Sequence, residues 1–344
     1  MTENPNRKPP RLPPSEKLLN LFMGKISTQL IYVAAELGIA DLLSKGAKTV
    51  EELATLTDSN EFFLYRILRA LANLGIFKER ANRKFALTPL SKPLRTDAPD
   101  SVRSYAIMFG SEWHNYAYSN LLKSVKKGEP AVDLTYGKGL FEYFKEEPDQ
   151  LEIFNKGMTS LSRLEATLIR ESYDFSKFKM ITDIGGGHGY LISQILKSNS
   201  KLKGKLLELP EVLEGAKSTI EEMGLSNRCE LIGGSFLEEV PDSGVYIMKT
   251  VLHDWSDEDA IKILKNIRKK IPADGKVLIV ECVIPPLNEP HFGKLIDIEM
   301  MVLTPFGYER TEEEFRDILK KSGFQLTNII TMMSPHSIVE AEPI

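Results

Sequence analysis

The chain has 344 residues, 42 % hydrophobic and 27 % charged, with a net charge of −4. That make-up is of a globular protein with two domains rather than one core. The acid excess speaks against a nucleic-acid partner, whose binder would show a basic face.

In chain order, the first segment is polar and carries Pro5, Pro9, Pro10, Pro13 and Pro14, which predicts a disordered tail over 1–15 and no signal peptide. No stretch is read as approaching the ~20 apolar residues of a membrane span, so the expected location is cytoplasmic. From Glu16 to about Leu74 the pattern is helical: Leu18, Leu19, Phe22, Met23 and Ile26 recur at helical spacing, then Leu30, Val33, Ala34 and Leu37, with Gly38 as the stop. Thr49 and Glu52 form a capping box. A helix over 60–73 puts Phe63, Ile67, Leu68, Leu71 and Leu74 on one face, closed by Gly75. Residues 76–87 read as a hairpin turning at Ala81, Asn82 and Arg83. Short helices followed by a hairpin are winged-helix organisation, over 16–100. Its basic residues (Arg66, Arg69, Lys78, Arg80, Arg83, Lys84) form no sustained stripe, so pairing or packing is expected there rather than DNA binding.

A second helical region, 101–172, links the halves and is rich in aromatics: Tyr105, Phe109, Trp113, Tyr116, Tyr118, Phe141, Tyr143 and Phe144. From Phe178 strands alternate with helices. Strands are expected at 179–184, 205–209, 229–233, 245–249 and 276–281, with terminal strands at 324–331 and 337–341. Helices are expected at 190–197, 211–223, 257–271 and 311–322, the last opened by a Thr311–Glu314 capping box. This alternation predicts an α/β, Rossmann-like domain over 173–344, a parallel sheet covered on both faces with ligands at the carboxyl ends of its strands. Cys229 and Cys282 read as reduced core residues of strands, with no second Cys or His at metal-ligand spacing.

The sharpest motif is Asp183-Ile184-Gly185-Gly186-Gly187-His188-Gly189, between an apolar strand and an apolar helix. Its glycines allow a sharp turn and close approach of a ligand to the backbone. The spacing is not that of a dinucleotide fingerprint; it is the Asp-x-Gly-x-Gly-x-Gly of class I methyltransferases. Glu208, ending the next strand, is placed to accept hydrogen bonds from ribose hydroxyls. Gly233-Gly234-Ser235-Phe236 ends the third strand, where small residues admit an adenine ring and Phe236 packs on it. Lys249 ends the fourth and offers its backbone or stem to a cofactor.

His253 follows that fourth strand, at the mouth of the ligand crevice. Methyl transfer from a sulfonium needs an aligned nucleophile relieved of its proton, and a histidine suits that task. Glu281, ending the neighbouring strand, is expected to reach His253, orient the imidazole and stabilise its charged form. Glu309 supplies a third acid. Trp255 reads as packing.

Taken together, DIGGGHG (183–189), LELPEV (207–212), VLHDWSDED (251–259), VECVIP (280–285), DIEMMVLT (297–304) and ERTEEEF (309–315) resemble the caffeic acid and N-acetylserotonin O-methyltransferase family with its bacterial natural-product relatives. The resemblance runs from about Lys17 to Phe324. It implies an S-adenosylmethionine-dependent O-methyltransferase, without a metal, acting on a small acceptor. It also implies a winged-helix-like N-terminal domain interlocking with a second subunit in a homodimer. His253 would be the general base, flanked by Glu281 and Glu309. Gly185, Glu208, Phe236 and Lys249 would contact the cofactor, with Met158 and Ser162 from the linker helix. The acceptor would lie near Trp113 and the DIEMM segment, Asp297 and Met301 included. Three positions depart from the family: Glu208 replaces Asp, Ser235 replaces the Asp of Gly-Asp-Phe, and Glu299 stands where Asn is common. Two further readings stay open: the same machinery methylating nitrogen or carbon, or used without net methylation, and a winged-helix regulator using the fold as a sensor.

Overall fold

A computed structural model describes residues 12–344 and divides the chain into two compact units, Met1–Glu112 and Trp113–Ile344. The expected tail therefore lies mostly outside the described residues. Its end is a correction, because Pro14 and Ser15 open a helix in which Pro14 needs no amide donor. The boundary at 112/113 also divides the segment 101–172 between the two units.

The first unit runs α1 (Pro14–Phe22), α2 (Gly24–Glu36), α3 (Ile39–Leu42), β1 (Lys48–Thr49), α4 (Val50–Leu56), α5 (Glu61–Asn73), β2 (Phe77–Arg80), β3 (Lys84–Leu87) and α6 (Arg103–Gly110). Gly38 takes φ +62 where α2 stops, and the Thr49–Glu52 box forms reciprocally at the start of α4. Asn82 and Arg83, at φ +60 and +49, turn the hairpin, and β1 adds antiparallel to β3. The buried face of α5 is Leu64, Leu68 and Leu71 rather than the stripe through Phe63 and Leu74, which are 61 % and 43 % exposed. Leu64 and Leu71 are two turns apart, so they share a stripe that Phe63 flanks. Contrary to the expectation above, the stretch Pro14–Glu36 (23 residues) is long and apolar enough to cross a membrane by length and composition, and little of it is buried.

The second unit begins one residue into α7 (Glu112–Ser119) and continues with α8 (Leu121–Lys127), α9 (Ala131–Tyr136), α10 (Leu140–Glu146) and the long α11 (Pro148–Ser172). There follow β4 (Met180–Ile184), α12 (Tyr190–Ser198), β5 (Lys203–Glu208), α13 (Leu213–Glu222), β6 (Cys229–Gly233), β7 (Val245–Lys249), α14 (Asp257–Arg268) and β8 (Lys276–Ile284). The chain ends with α15 (Gly293–Leu303), β9 (Arg310–Thr311), α16 (Glu312–Lys321), β10 (Phe324–Thr331) and β11 (His336–Pro343). The main sheet has the order β10-β11-β8-β7-β4-β5-β6, with the short β9 pairing β8.

Strands β4 to β8 pair in parallel, as expected, but β11 runs antiparallel between β8 and β10, so the sheet is mixed. The physical reason is the short connection from β10 to β11, which makes a hairpin and cannot hold the crossover a parallel pair needs. Both faces are covered. Ile263, Ile267, Phe315 and Ile318 of α14 and α16 pack on one; Ala166, Ile169, Ile192, Ile195 and Ile220 of α11, α12 and α13 pack on the other. Strand order reverses between β4 and β7, which opens a ligand crevice at their carboxyl ends.

Candidate active site

The glycine loop leaves β4 at that reversal. Gly185, Gly187 and Gly189 take φ +65, +56 and +71, a left-handed region that costs an L residue roughly 1–2 kcal/mol each. A Cβ on Gly186 would come within 2.5 Å of Asp183 Oδ2, whereas one on Gly187 would meet no atom within 4 Å. The loop is thus packed on its inner side at Gly186 and open at Gly187. Glu208, from the end of β5, accepts hydrogen bonds from the amides of Gly187 and Leu209, both at 2.8 Å. Its carboxylate keeps further lone pairs for a ligand. From the end of β6, Ser235 accepts from the Leu237 amide at 3.3 Å. The Phe236 ring stands 3.3 Å from where a Gly185 Cβ would be and meets Trp255 edge-on at 5.8 Å. Gly185, Glu208, Ser235, Phe236 and Lys249 therefore gather at the carboxyl ends of four adjacent strands. Met158 and Ser162 lie four residues apart on α11.

Two features here escaped sequence reasoning. Asp183 is fully buried, and neither of its oxygens has a hydrogen-bond partner among the described residues. Burial pushes its carboxyl up to about 7, Glu208 reinforcing and Lys249 opposing. The ammonium of Lys249 points away from a free ligand role: it sits 3.0 Å from Glu165 Oε2 and 3.2 Å from Thr250 Oγ1.

After β7, Thr250 takes φ +51 and turns the chain sharply toward His253. Because β8 is the parallel neighbour of β7, Glu281 does reach this loop, but it holds the backbone rather than the ring. Its Oε1 accepts from the amides of Val251 (3.2 Å) and His253 (3.1 Å). The ring belongs to Glu309, whose Oε1 lies 2.8 Å from His253 Nδ1. The orienting role expected of Glu281 is therefore filled by Glu309. The other ring nitrogen, Nε2, lies 3.8 Å from Asp254 Oδ1.

Burial lowers the pKa of His253, but the carboxylates of Asp254, Glu309 and Glu281 outweigh it and push it up to about 9. Burial raises Glu281 in turn.

The loop is stapled from outside by Arg310, which is wholly buried. Its guanidinium donates to the carbonyls of Leu252 (2.8 Å) and Trp255 (2.9 Å) and to Asp257 Oδ1. Only its place beside Glu309 in the ERT motif signalled this. Asp297, on α15, accepts from the Glu309 amide at 2.9 Å, so it braces the acid that holds His253. Met301 follows one turn later, half-buried. Trp113 is packed edge-on against Phe144 (5.2 Å) and Phe154 (6.4 Å), its indole nitrogen unpartnered among the described residues. Glu299 accepts from Tyr118 at 2.5 Å and lies 2.9 Å from His114 Nε2.

A donor with a charged amino-acid tail, a ribose and an adenine fits these residues. The open glycine bend admits close approach, Glu208 offers acceptor oxygens to hydroxyls, and Phe236 offers an aromatic face.

Comparison with known proteins gives the same reading. Residues 118–325 match the O-methyltransferase domain family and 19–97 the O-methyltransferase dimerisation domain. Over all of both chains, this sequence is 42 % identical to a phenazine O-methyltransferase of Lysobacter antibioticus. The solved structure of LaPhzM superposes with a TM-score of 0.89 at 42 % identity, covering 97 % of this chain and 100 % of that one. CalO1, a methyltransferase in calicheamicin biosynthesis solved with S-adenosylhomocysteine bound, gives 0.87 at 30 % identity, with 97 % and 100 % covered.

Proposed function

This chain belongs to the O-methyltransferase family, and from that premise we propose that it methylates a hydroxyl of a small aromatic secondary metabolite, with His253 as the general base. It is an S-adenosylmethionine-dependent methyltransferase. When bound, that donor supplies a methyl group on a sulfonium with an excellent leaving group. The protein's own task is to hold the acceptor hydroxyl and remove its proton.

The observation that carries the reading is the His253–Glu309 contact. It keeps the proton on Nδ1, so that Nε2 takes the acceptor's proton. Asp254, Glu309 and Glu281 then stabilise the imidazolium that forms. A base near 9 is close to a phenol, whose reference pKa is about 10, so the proton transfer is nearly balanced. Only about a hundredth of the ring is in the base form at pH 7, and activity rises with pH toward 9. Alignment of acceptor and base is worth about 7–11 kcal/mol, and base catalysis about 10²–10⁴ in rate.

Around that centre, Glu208 binds ribose hydroxyls, Ser235 and Phe236 receive the adenine, and Gly185, Lys249, Met158 and Ser162 complete the donor site. Trp113, Asp297 and Met301 lie on the acceptor side, with Asp297 acting through its hold on Glu309. We read the domains as a winged-helix-like unit over 16–100 and a catalytic domain over 173–344, with the helical segment over 101–172 shared between the two compact units. The first pairs two copies of the chain in the cytoplasm. Leu18, Leu19, Phe22, Met23 and Ile26, all close to half exposed or more, supply apolar surface for that contact. The same surface accounts for the apolar Pro14–Glu36 stretch without a membrane.

The test is His253→Ala with labelled S-adenosylmethionine and a panel of phenols. Turnover falls by about 10²–10⁴, and undiminished O-methylation would refute the base. Transfer to an amine at the unchanged rate would point instead to nitrogen methylation.

A further inference from the structure

On the face of the sheet that α11 covers, a buried polar network joins four elements. Glu165 of α11 places Oε2 3.0 Å from Lys249 Nζ and Oε1 2.5 Å from His336 Nδ1, the latter at ion-pair distance but without hydrogen-bond alignment. Lys249 ends β7, His336 begins β11 opposite Cys282 of β8, and Asp183 of β4 feels the Lys249 charge from the same face. All three side chains of the Glu165 contacts are about nine-tenths buried or more. Burial works to raise the Glu165 carboxyl, yet Lys249 and His336 together hold it down at about 2, so it stays ionised.

Its position on α11 gives the network a consequence. Met158, Ser162, Glu165 and Ile169 stand at i, i+4, i+7 and i+11, one stripe of the helix. Ile169 is fully buried in the core below. The stripe therefore faces the sheet at Ile169 and Glu165 and continues for about 10 Å toward Met158, at 1.5 Å per residue. Lys249 in turn donates to Thr250, where the chain departs for His253. A single carboxylate thus ties the helix to the strand end from which the catalytic loop springs.

We propose that Glu165 is a positioning residue of the donor site, locking the rotation of α11 through Lys249 and His336 so that Met158 and Ser162 face the glycine bend. This rests on S-adenosylmethionine being the donor. It also explains why Lys249 is buried: its ammonium holds the helix, and only its backbone and stem remain for the ligand.

Calorimetric titration of S-adenosylhomocysteine into the full-length protein tests this. Glu165→Gln weakens binding at least tenfold and raises KM for the donor by a similar factor, with kcat at saturating donor changing far less. His336→Asn, which spares the Lys249 contact, weakens binding about threefold. Ile169→Val lies on the same stripe and lowers stability without touching the network, so it leaves affinity within twofold. Glu165→Gln binding as tightly as the unchanged protein would overturn the proposal, as would an equal loss in Ile169→Val. If Glu165→Gln fails to fold, His336→Asn decides, and unchanged affinity there overturns it. Absence of uptake by the unchanged protein would overturn the donor assignment along with it.

Discussion

Replacing Glu309 by Gln removes one negative charge beside His253 while keeping size and shape. The histidine's rise from 6.5 to about 9 corresponds to roughly 3 kcal/mol favouring the imidazolium. Asp254 contributes, but its side chain is 40 % exposed and water screens it, whereas the Glu309 side chain is fully buried and in contact at 2.8 Å. A full charge at about 4 Å and an effective dielectric near 20 interacts by about 4 kcal/mol, so Glu309 alone is strong enough for most of the effect. Glu309→Gln should therefore lower the His253 pKa by about 1–3. The protein holds five histidines, so carbon-detected NMR of labelled histidine, with His253→Asn identifying the resonance, reads the titration without knowledge of the acceptor. The same change should move the acid limb of kcat/KM to lower pH while the plateau falls, because a neutral amide stabilises the imidazolium less than a carboxylate does. Stability follows with a definite sign. A raised histidine stabilises the fold fully below about 6.5 and loses that contribution as pH climbs through about 9, so the variant loses most stability on the acid side of that window. His253 still titrating near 9 in Glu309→Gln would refute the reasoning.

Arg310→Met leaves the Leu252 and Trp255 carbonyls without their donor and should cost roughly 3–5 kcal/mol in urea denaturation; a loss under about 1 kcal/mol would show that the staple is dispensable. Gly187→Ala should cost only about 1–2 kcal/mol for its backbone, yet abolish S-adenosylhomocysteine binding, since the new methyl projects into the open side of the loop. Retained binding there would put the ligand elsewhere. Glu165, held at about 2 against an ordinary 4.5, contributes roughly 3 kcal/mol above about 4.5 that fades as pH falls toward 2. Denaturation of Glu165→Gln across that range should give a flatter acid limb than the unchanged protein, and an identical limb would contradict the ion pairing.

Much of the molecule was legible because the signals are local. The strands 229–233, 245–249 and 324–331 were read with their observed bounds, and both capping boxes formed where Thr49–Glu52 and Thr311–Glu314 predicted them. Periodicity and caps depend on neighbours in the chain, which a sequence displays. Helix α15 was not foreseen: its eleven residues are apolar nearly all round, so no polar face marks the period. The choice of Leu64 over Phe63 on α5 likewise depended on what packs against the helix.

By itself, the sequence determined the alternation of strands and helices from β4 to β8, the glycine bend with its acidic neighbours, and the arrival of His253 at a strand's carboxyl end. Only the tertiary structure decided which acid serves which group. Glu309 took the imidazole and Glu281 the backbone amides, Arg310 became the staple of the loop, and the Lys249 ammonium turned inward to Glu165. These partners are separated by dozens of residues, and their pairing is set by strand order and burial. No local pattern encodes either.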